Sequence, residues 1–232
     1  CAGIIVGVVT KTGLGLKMAN SLVSIADAIT SHPDFKLFLT LFFTMIASLI
    51  LGMGSPTTAN YVITSTIAAP AIILMGVPDL SAHLFVFYFG IIADITPPVA
   101  LAAFAAAGVS GGEPIRTGII SAKLAIAAFI IPYAFVFSPQ LLMIDASFLE
   151  IVWVIITAVL GMIAIGAGMV GYWYRKVFWY ERIIAVITGL LLIYPERISD
   201  ITGVILFVVL LVLQIFRKDQ SNHPQQMSNK SI

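Results

Sequence analysis

The chain reads as an all-α polytopic membrane protein, and three features of its sequence predict this. Of the 232 residues, 60% are hydrophobic and only 10% charged, where a soluble domain carries about 25% charge. The mean hydropathy is +1.07. Apolar residues gather into runs long enough to cross a bilayer, and most basic residues, including Lys11, Arg116, Arg175, Lys176, Arg217 and Lys218, fall between or near the ends of those runs.

The first run, Cys1 to Val9, starts without an initiator methionine or a charged n-region. It reads as the end of a span, so the chain is expected to be part of a longer protein. Gly13 to Thr30 places Leu14, Met18, Leu22, Ile25 and Ile29 at helical spacing among polar residues, the pattern of an interfacial or partly packed helix. His32-Pro33-Asp34 interrupts it, because proline disfavours helix in the residue before it. Phe35 to Gly54 is a span of about twenty mostly apolar residues. Pro56 to Gly76 is long enough to cross again, but Thr57, Thr58, Asn60, Thr64, Ser65 and Thr66 make it too polar to face lipid. It is expected in an inner layer.

Ser81 to Ile95 and Val99 to Val109 are each shorter than the minimum of about 17 residues for a span. Between them, Pro97 and Pro98 remove two backbone donors and end the first helix. Two half-length helices around such a break predict a re-entrant hairpin over 81–109, with its tip at Ala93 to Pro98; the alternative is one kinked helix. Ser110 to Pro114 is a loop, and a span runs from Pro114 to about Phe137. Phe148 to Tyr174 crosses again, with Gly161, Gly166, Gly168 and Gly171 allowing close helix contact. Tyr172, Trp173, Tyr174, Trp179 and Tyr180 suggest an interfacial belt. Ile183 to Tyr194 and Ile198 to Phe216 follow. Placing both Arg175-Lys176 and Arg217-Lys218 at the cytoplasmic face requires that stretch to cross twice. The regions are therefore 1–142, with a broken helix at 52–76 and the hairpin at 81–109; 143–216, with additional transmembrane helices; and 217–232, a polar tail expected to be disordered.

Several classes of chemistry are disfavoured. No basic stripe interleaved with aromatics points to nucleic acid. Cys1 is the only cysteine, and it runs into an apolar stretch rather than the polar domain expected after a lipid-modified terminus. His32, His83 and His223 lack metal spacing, and no hydrolase, phosphate-loop or dinucleotide motif is present. Asp94 reads as the one carboxylate deep in an apolar stretch, and it has no base or metal partner to make an active site. The chain is not expected to be an enzyme or to hold a cofactor.

Two polar segments remain at membrane depth. Gly52, Gly54, Ser55, Thr57, Thr58 and Asn60 form one; Asp94, Thr96, Pro97 and Pro98 form the other. Both combine helix breakers with neutral oxygens. Unwound backbone frees carbonyls, which together with hydroxyl and amide oxygens are hard ligands for an alkali cation, and the side-chain candidates for sodium are Ser55, Thr57 and Thr96. Helices restarting near Thr57 and Val99 present free N–H groups that favour a carboxylate. The same residues could instead be interhelical glue, a structural kink and a cap.

GMGSPTTANYV, ADITPPVALAAFAAAGVSGGEP and IIPYAFVFSPQLL, in that order, resemble the large membrane subunit of tripartite ATP-independent periplasmic (TRAP) transporters in its fused small-and-large form. The resemblance covers Cys1 to Leu142. It implies the second inverted repeat of an elevator-type transporter, driven by sodium and supplied with a small organic anion by a periplasmic binding protein. It further implies a multi-pass protein of a bacterial or archaeal cytoplasmic membrane, working with the rest of the fused chain. It places the hairpin toward the periplasm, whereas Arg116 leans cytoplasmic, so orientation stays open. A non-transporting scaffold subunit and a channel are the alternative functions.

Overall fold

The computed structural model describes residues 2–144, 146–173, 177–194 and 197–216. The readings made for Cys1, Asp145, Tyr174 to Lys176, Pro195, Glu196 and the 217–232 tail lie outside the described residues. Among the described residues, four helices are long and apolar enough to cross a membrane: Pro33–Gly52, Pro114–Phe137, Phe148–Val170 and Ile198–Ile215.

α1 (Ala2–Thr12) and α2 (Leu14–Ile29) are joined at Gly13, which takes a φ of 64°. α2 buries Gly15, Ala19 and Ala26 and leaves Leu14, Ile25 and Ile29 exposed. Its bulky stripe therefore points outward. That inversion of the soluble pattern suits lipid, which accepts large apolar groups, while small residues let backbones approach. A Cβ on Gly15 would collide with the Thr66 carbonyl oxygen.

α3 (Pro33–Gly52) begins on a proline whose missing N–H would have had no partner in the first turn. It ends at a turn that includes Gly54 at a φ of 75°. α4 (Thr57–Ile67) and α5 (Ala69–Ile73), parted at Ala68, then pack back along α3. Near the tip Gly52 lies against Asn60. Farther down, Leu41 shares a core cluster with Ala68, Ala69 and Ile72. α3 to α5 thus form a helical hairpin.

α6 (Asp79–Ile92) leads through a tight turn at Ala93–Ile95 and the Pro97-Pro98 break into α7 (Leu101–Ser110). Gly111, at a φ of 71°, ends α7. α8 (Pro114–Leu124) and α9 (Ile126–Phe137) follow and amount to one span of 24 residues, about 36 Å at the rise of an α-helix. α7 packs on α8 and α6 packs on α9, whereas α6 and α7 are not a packed pair among the described residues. The two halves must therefore lie end to end along the 114–137 helix.

This relocates the expected hairpin. The hairpin reverses at Gly52 to Pro56, not over 81–109; 79–110 is a broken helix, and 52–76 is interrupted as well, at the 53–56 turn and at Ala68. The Gly52 turn sends its second helix back along the first, while the proline break lets the chain resume along its original course.

The remaining helices form a unit of their own. Ser147 and Glu150 make a capping box at the start of α10 (Phe148–Val170). α11 (Trp179–Ile193) packs along α10, with Gly161 against Gly189 and Gly168 against Ala185, and α12 (Arg197–Phe216) packs on α11. Arg182 donates to the carbonyls of Gly168 at 2.7 Å and Met169 at 2.6 Å, capping the end of α10. Trp173 packs edge-on against Phe207 rather than joining a belt, while Tyr172, Trp179 and Tyr180 are exposed. Besides the half-buried Asp94, two further carboxylates, Glu181 and Asp200, are buried. Glu181 accepts from the Phe178 N–H and from Gln214, and Asp200 accepts from the Trp153 indole, each at 2.9 Å. Both are in the first turn of a helix, so counting their distance from the ends of apolar runs hides their burial.

A Cβ on Gly189 would lie 2.6 Å from the Gly161 carbonyl oxygen, whereas one on Gly166 would meet open space. Gly189→Val should therefore pry α10 from α11 at a cost of roughly 1–3 kcal/mol. Gly166→Ala should be neutral or stabilise by about 0.5–1 kcal/mol through helix propensity. Thermal melting of the purified variants checks the contrast, and equal effects would contradict the packing.

Candidate functional site

The hairpin tip packs against α6 near its C-terminal end, at Gly90. A methyl on Gly52 would stand 2.6 Å from the Gly90 carbonyl oxygen and 2.8 Å from Asn60 Nδ2. On Gly90 it would stand 2.6 Å from Asn60 Oδ1. Glycine at both positions leaves a slot between α3 and α6, and the Asn60 side chain fills it. Asn60 is 1% exposed, and neither polar atom of its carboxamide has a hydrogen-bond partner among the described residues. A buried polar group left so is costly, which marks this contact as something more than packing.

Tyr61 ties α4 to α6 from the same turn: its hydroxyl is 3.2 Å from His83 Nδ1 and its ring packs edge-on against Phe87. His83 is thereby accounted for as a structural partner.

Beyond Gly90 the turn at 93–95 packs against α3, α7 and α8. Asp94 is half-buried there, with Oδ1 buried and unpartnered. Thr96 donates its hydroxyl to the Ile92 carbonyl at 2.9 Å, fastening the break to the end of α6. Pro97 and Pro98, joined by a cis bond, are exposed, and Ala100 takes a φ of 42° as α7 begins. Gly118 of α8 leaves room for Pro97 and Ala100, each 3.4 Å from where its Cβ would be.

On the hairpin side, Gly54, Thr57 and Thr58 are exposed, and the Ser55 hydroxyl donates to the Gly52 carbonyl at 3.4 Å. Gly52 and Asn60 are thus brought directly against α6. No hydrogen bond among the described residues joins Ser55, Thr57 or Thr58 to Asp94 or Thr96.

Both restarting helices lack a side-chain cap, α4 after Pro56 and α7 after Ala100. Their first-turn N–H groups carry partial positive charge suited to a carboxylate. The carbonyl ends of α3 and α6 and the neutral side-chain oxygens supply the opposite polarity. No group of three or more His, Cys, Asp or Glu able to hold a metal occurs among the described residues, so any cation here would rely on those oxygens.

The sequence reading missed Gly90 and a stripe on α3. Thr40, Thr44 and Ser48 recur every fourth residue and lead to Gly52; all are fully buried, with hydroxyls lacking partners. The spacing was visible in the sequence, but hydropathy averaged it into an apolar span.

The family model described as "Tripartite ATP-independent periplasmic transporter, DctM component" matches residues 1–150. A second, "Domain of unknown function (DUF3394)", matches residues 151–218, which contain α11, α12 and all but the first turn of α10. No curated protein and no solved structure matches the chain.

The slot yields a direct test. Gly90→Ala should destabilise the protein by about 1–3 kcal/mol through overpacking against Asn60. Combining it with Asn60→Ala should recover part of that loss, because the colliding carboxamide is gone. Melting temperatures of the two single variants and the double variant form a cycle, and strict additivity would show that the two residues do not meet.

Proposed function

Since the chain belongs to the DctM component family of tripartite ATP-independent periplasmic transporters, we propose that it supplies one half of a sodium-coupled transport site for a small organic anion. A periplasmic binding protein delivers that anion, and the protein works in a bacterial or archaeal cytoplasmic membrane together with the rest of a fused transporter chain. The observation that supports this reading is the contact of the hairpin tip with α6 through Gly52, Asn60 and Gly90, because α6 then links that tip to the second break, and the helices restarting after the two breaks, α4 and α7, both begin uncapped.

The chemistry divides between the two polarities. The N-terminal turns of α4 and α7 attract the substrate carboxylate. Ser55, Thr57, Thr58, Asn60 and Thr96, with freed carbonyls around Gly52, Gly54 and Ala93 to Pro98, offer the neutral oxygens that sodium prefers. Thr96 can donate to Ile92 and still present lone pairs to a cation. Asp94, with an unpartnered buried oxygen beside this set, adds negative charge to the cation side. Pro97 and Pro98 hold α6 and α7 apart so that both ends stay free.

The test is uptake into proteoliposomes by the full-length transporter supplied with its binding protein. Thr57→Val and Thr96→Val keep side-chain shape and remove a hydroxyl, so each should raise the sodium concentration for half-maximal uptake. Wild-type uptake driven by a proton gradient in the absence of sodium would reject the coupling ion. An unchanged sodium dependence across the series would return these residues to helix packing.

Replacing Pro97 and Pro98 together with alanine should let α6 run into α7 and abolish uptake while the protein still reaches the membrane. Wild-type uptake by that variant would favour a scaffold role for the break.

A further inference from the structure

Away from the candidate site, the largest unexplained feature is the seam between the two family-matched regions. α11 packs along α10 and α12 but forms no packed pair with α3 or α9 among the described residues. Between them runs a groove of about 440 Å³, lined by Phe38 and Met45 from α3, Tyr133 and Phe137 from α9, and Leu190 and Tyr194 from α11. A second groove, of about 430 Å³, lies on the other side of the α11 C-terminal turn, between α11 and α12, with Leu191, Ile198 and Thr202 in its wall. Leu190 and Tyr194 line both.

We propose that the two grooves hold the two acyl chains of one phospholipid, which straddles the end of α11 and fills the seam between the 1–150 and 151–218 regions.

Size agrees with this occupant. At roughly 30 Å³ per water-sized group, each groove accommodates about fifteen such groups, the bulk of one acyl chain. Chemistry agrees as well. Tyr194 excepted, the hydroxyls in the walls are used within the protein: Tyr133 donates to Met45 Sδ at 3.5 Å, Ser199 to the Leu191 carbonyl at 2.6 Å, and Thr202 to the Ile198 carbonyl at 2.8 Å. Little is left for a polar ligand, and apolar space of this kind neither holds water nor matches the close packing of protein interiors.

The grooves continue the lipid-facing surface, since Phe38, Leu190 and Tyr194 are exposed on helices that belong in the bilayer. Behind the first groove the two regions join: Ala134 and Ile193 pack with Ile165, and the Ser138 hydroxyl donates to the Ile193 carbonyl at 3.3 Å. Tyr194, shared by both grooves at the end of α11, is a residue type that sits at headgroup level. A transmembrane helix, about 10 Å across, could cover one groove but could not enter both around a single turn of α11.

The experiment uses the full-length transporter extracted with its native lipids. Native mass spectrometry should show one phospholipid retained per chain after mild activation. Leu190→Trp, which puts bulk into both grooves, should lose that lipid. Retention by the variant equal to the wild type, or a wild type that carries none, would overturn the proposal. A photoreactive benzoylphenylalanine at position 190, irradiated in intact membranes, gives an independent reading should the tryptophan variant not assemble. Phospholipid adducts support the inference, and adducts with polypeptide alone refute it.

Discussion

Backbone that leaves helical geometry inside a bilayer must find its hydrogen-bond partners within the protein or beside a watery cavity, because hydrocarbon offers none. This chain departs from helix at Gly52 to Pro56 and at Ala93 to Ala100, the two segments that combine helix breakers with polar side chains. Helices from α3 to α9 border both departures. α6 lies against the hairpin through Gly90, the 93–95 turn is flanked by α3, α7 and α8, and the continuous 114–137 helix runs behind both halves of the broken one. α6 thereby connects the two irregular segments, with the hairpin tip against its Gly90 and the second break at its own C-terminal end.

The helical membrane class could be read directly, because apolar run lengths and the positions of Lys and Arg report the solvent and not the partner. The two breaks were equally legible, since Gly52 to Pro56 and Pro97-Pro98 cannot continue a helix whatever surrounds them. What composition could not supply was the direction the chain takes after each break. That depends on where the following helix finds its packing surface: α4 and α5 on α3, but α7 on α8. The slot around Asn60 was half legible. Gly52 and Asn60 stood in a polar segment, but Gly90 sat in an apolar run with nothing to distinguish it. Its role appears only when α6 is laid beside α3. Thr40, Thr44 and Ser48 had a readable period that a hydropathy average conceals.

The 151–218 region obeys different rules from the core. α10, α11 and α12 are regular, closely packed through glycine and alanine, and their buried carboxylates are engaged: Glu181 with Gln214 and the Phe178 N–H, Asp200 with Trp153. Arg182 closes the end of α10. Such a unit has the character of a brace, with its carboxylates spent on internal connections, although Thr188 Oγ1 and Gln214 Oε1 are buried there without a partner among the described residues, as are the carboxamide of Asn60 and Asp94 Oδ1 in the other part of the chain.

The Asn60 side chain between Gly52 and Gly90 also has a mechanical meaning. A shim wedged between two flat surfaces resists sliding in the plane of contact, since any slip drives it into the wall that a missing methyl group had cleared. The tip of the hairpin and the end of α6 are therefore keyed together against sliding.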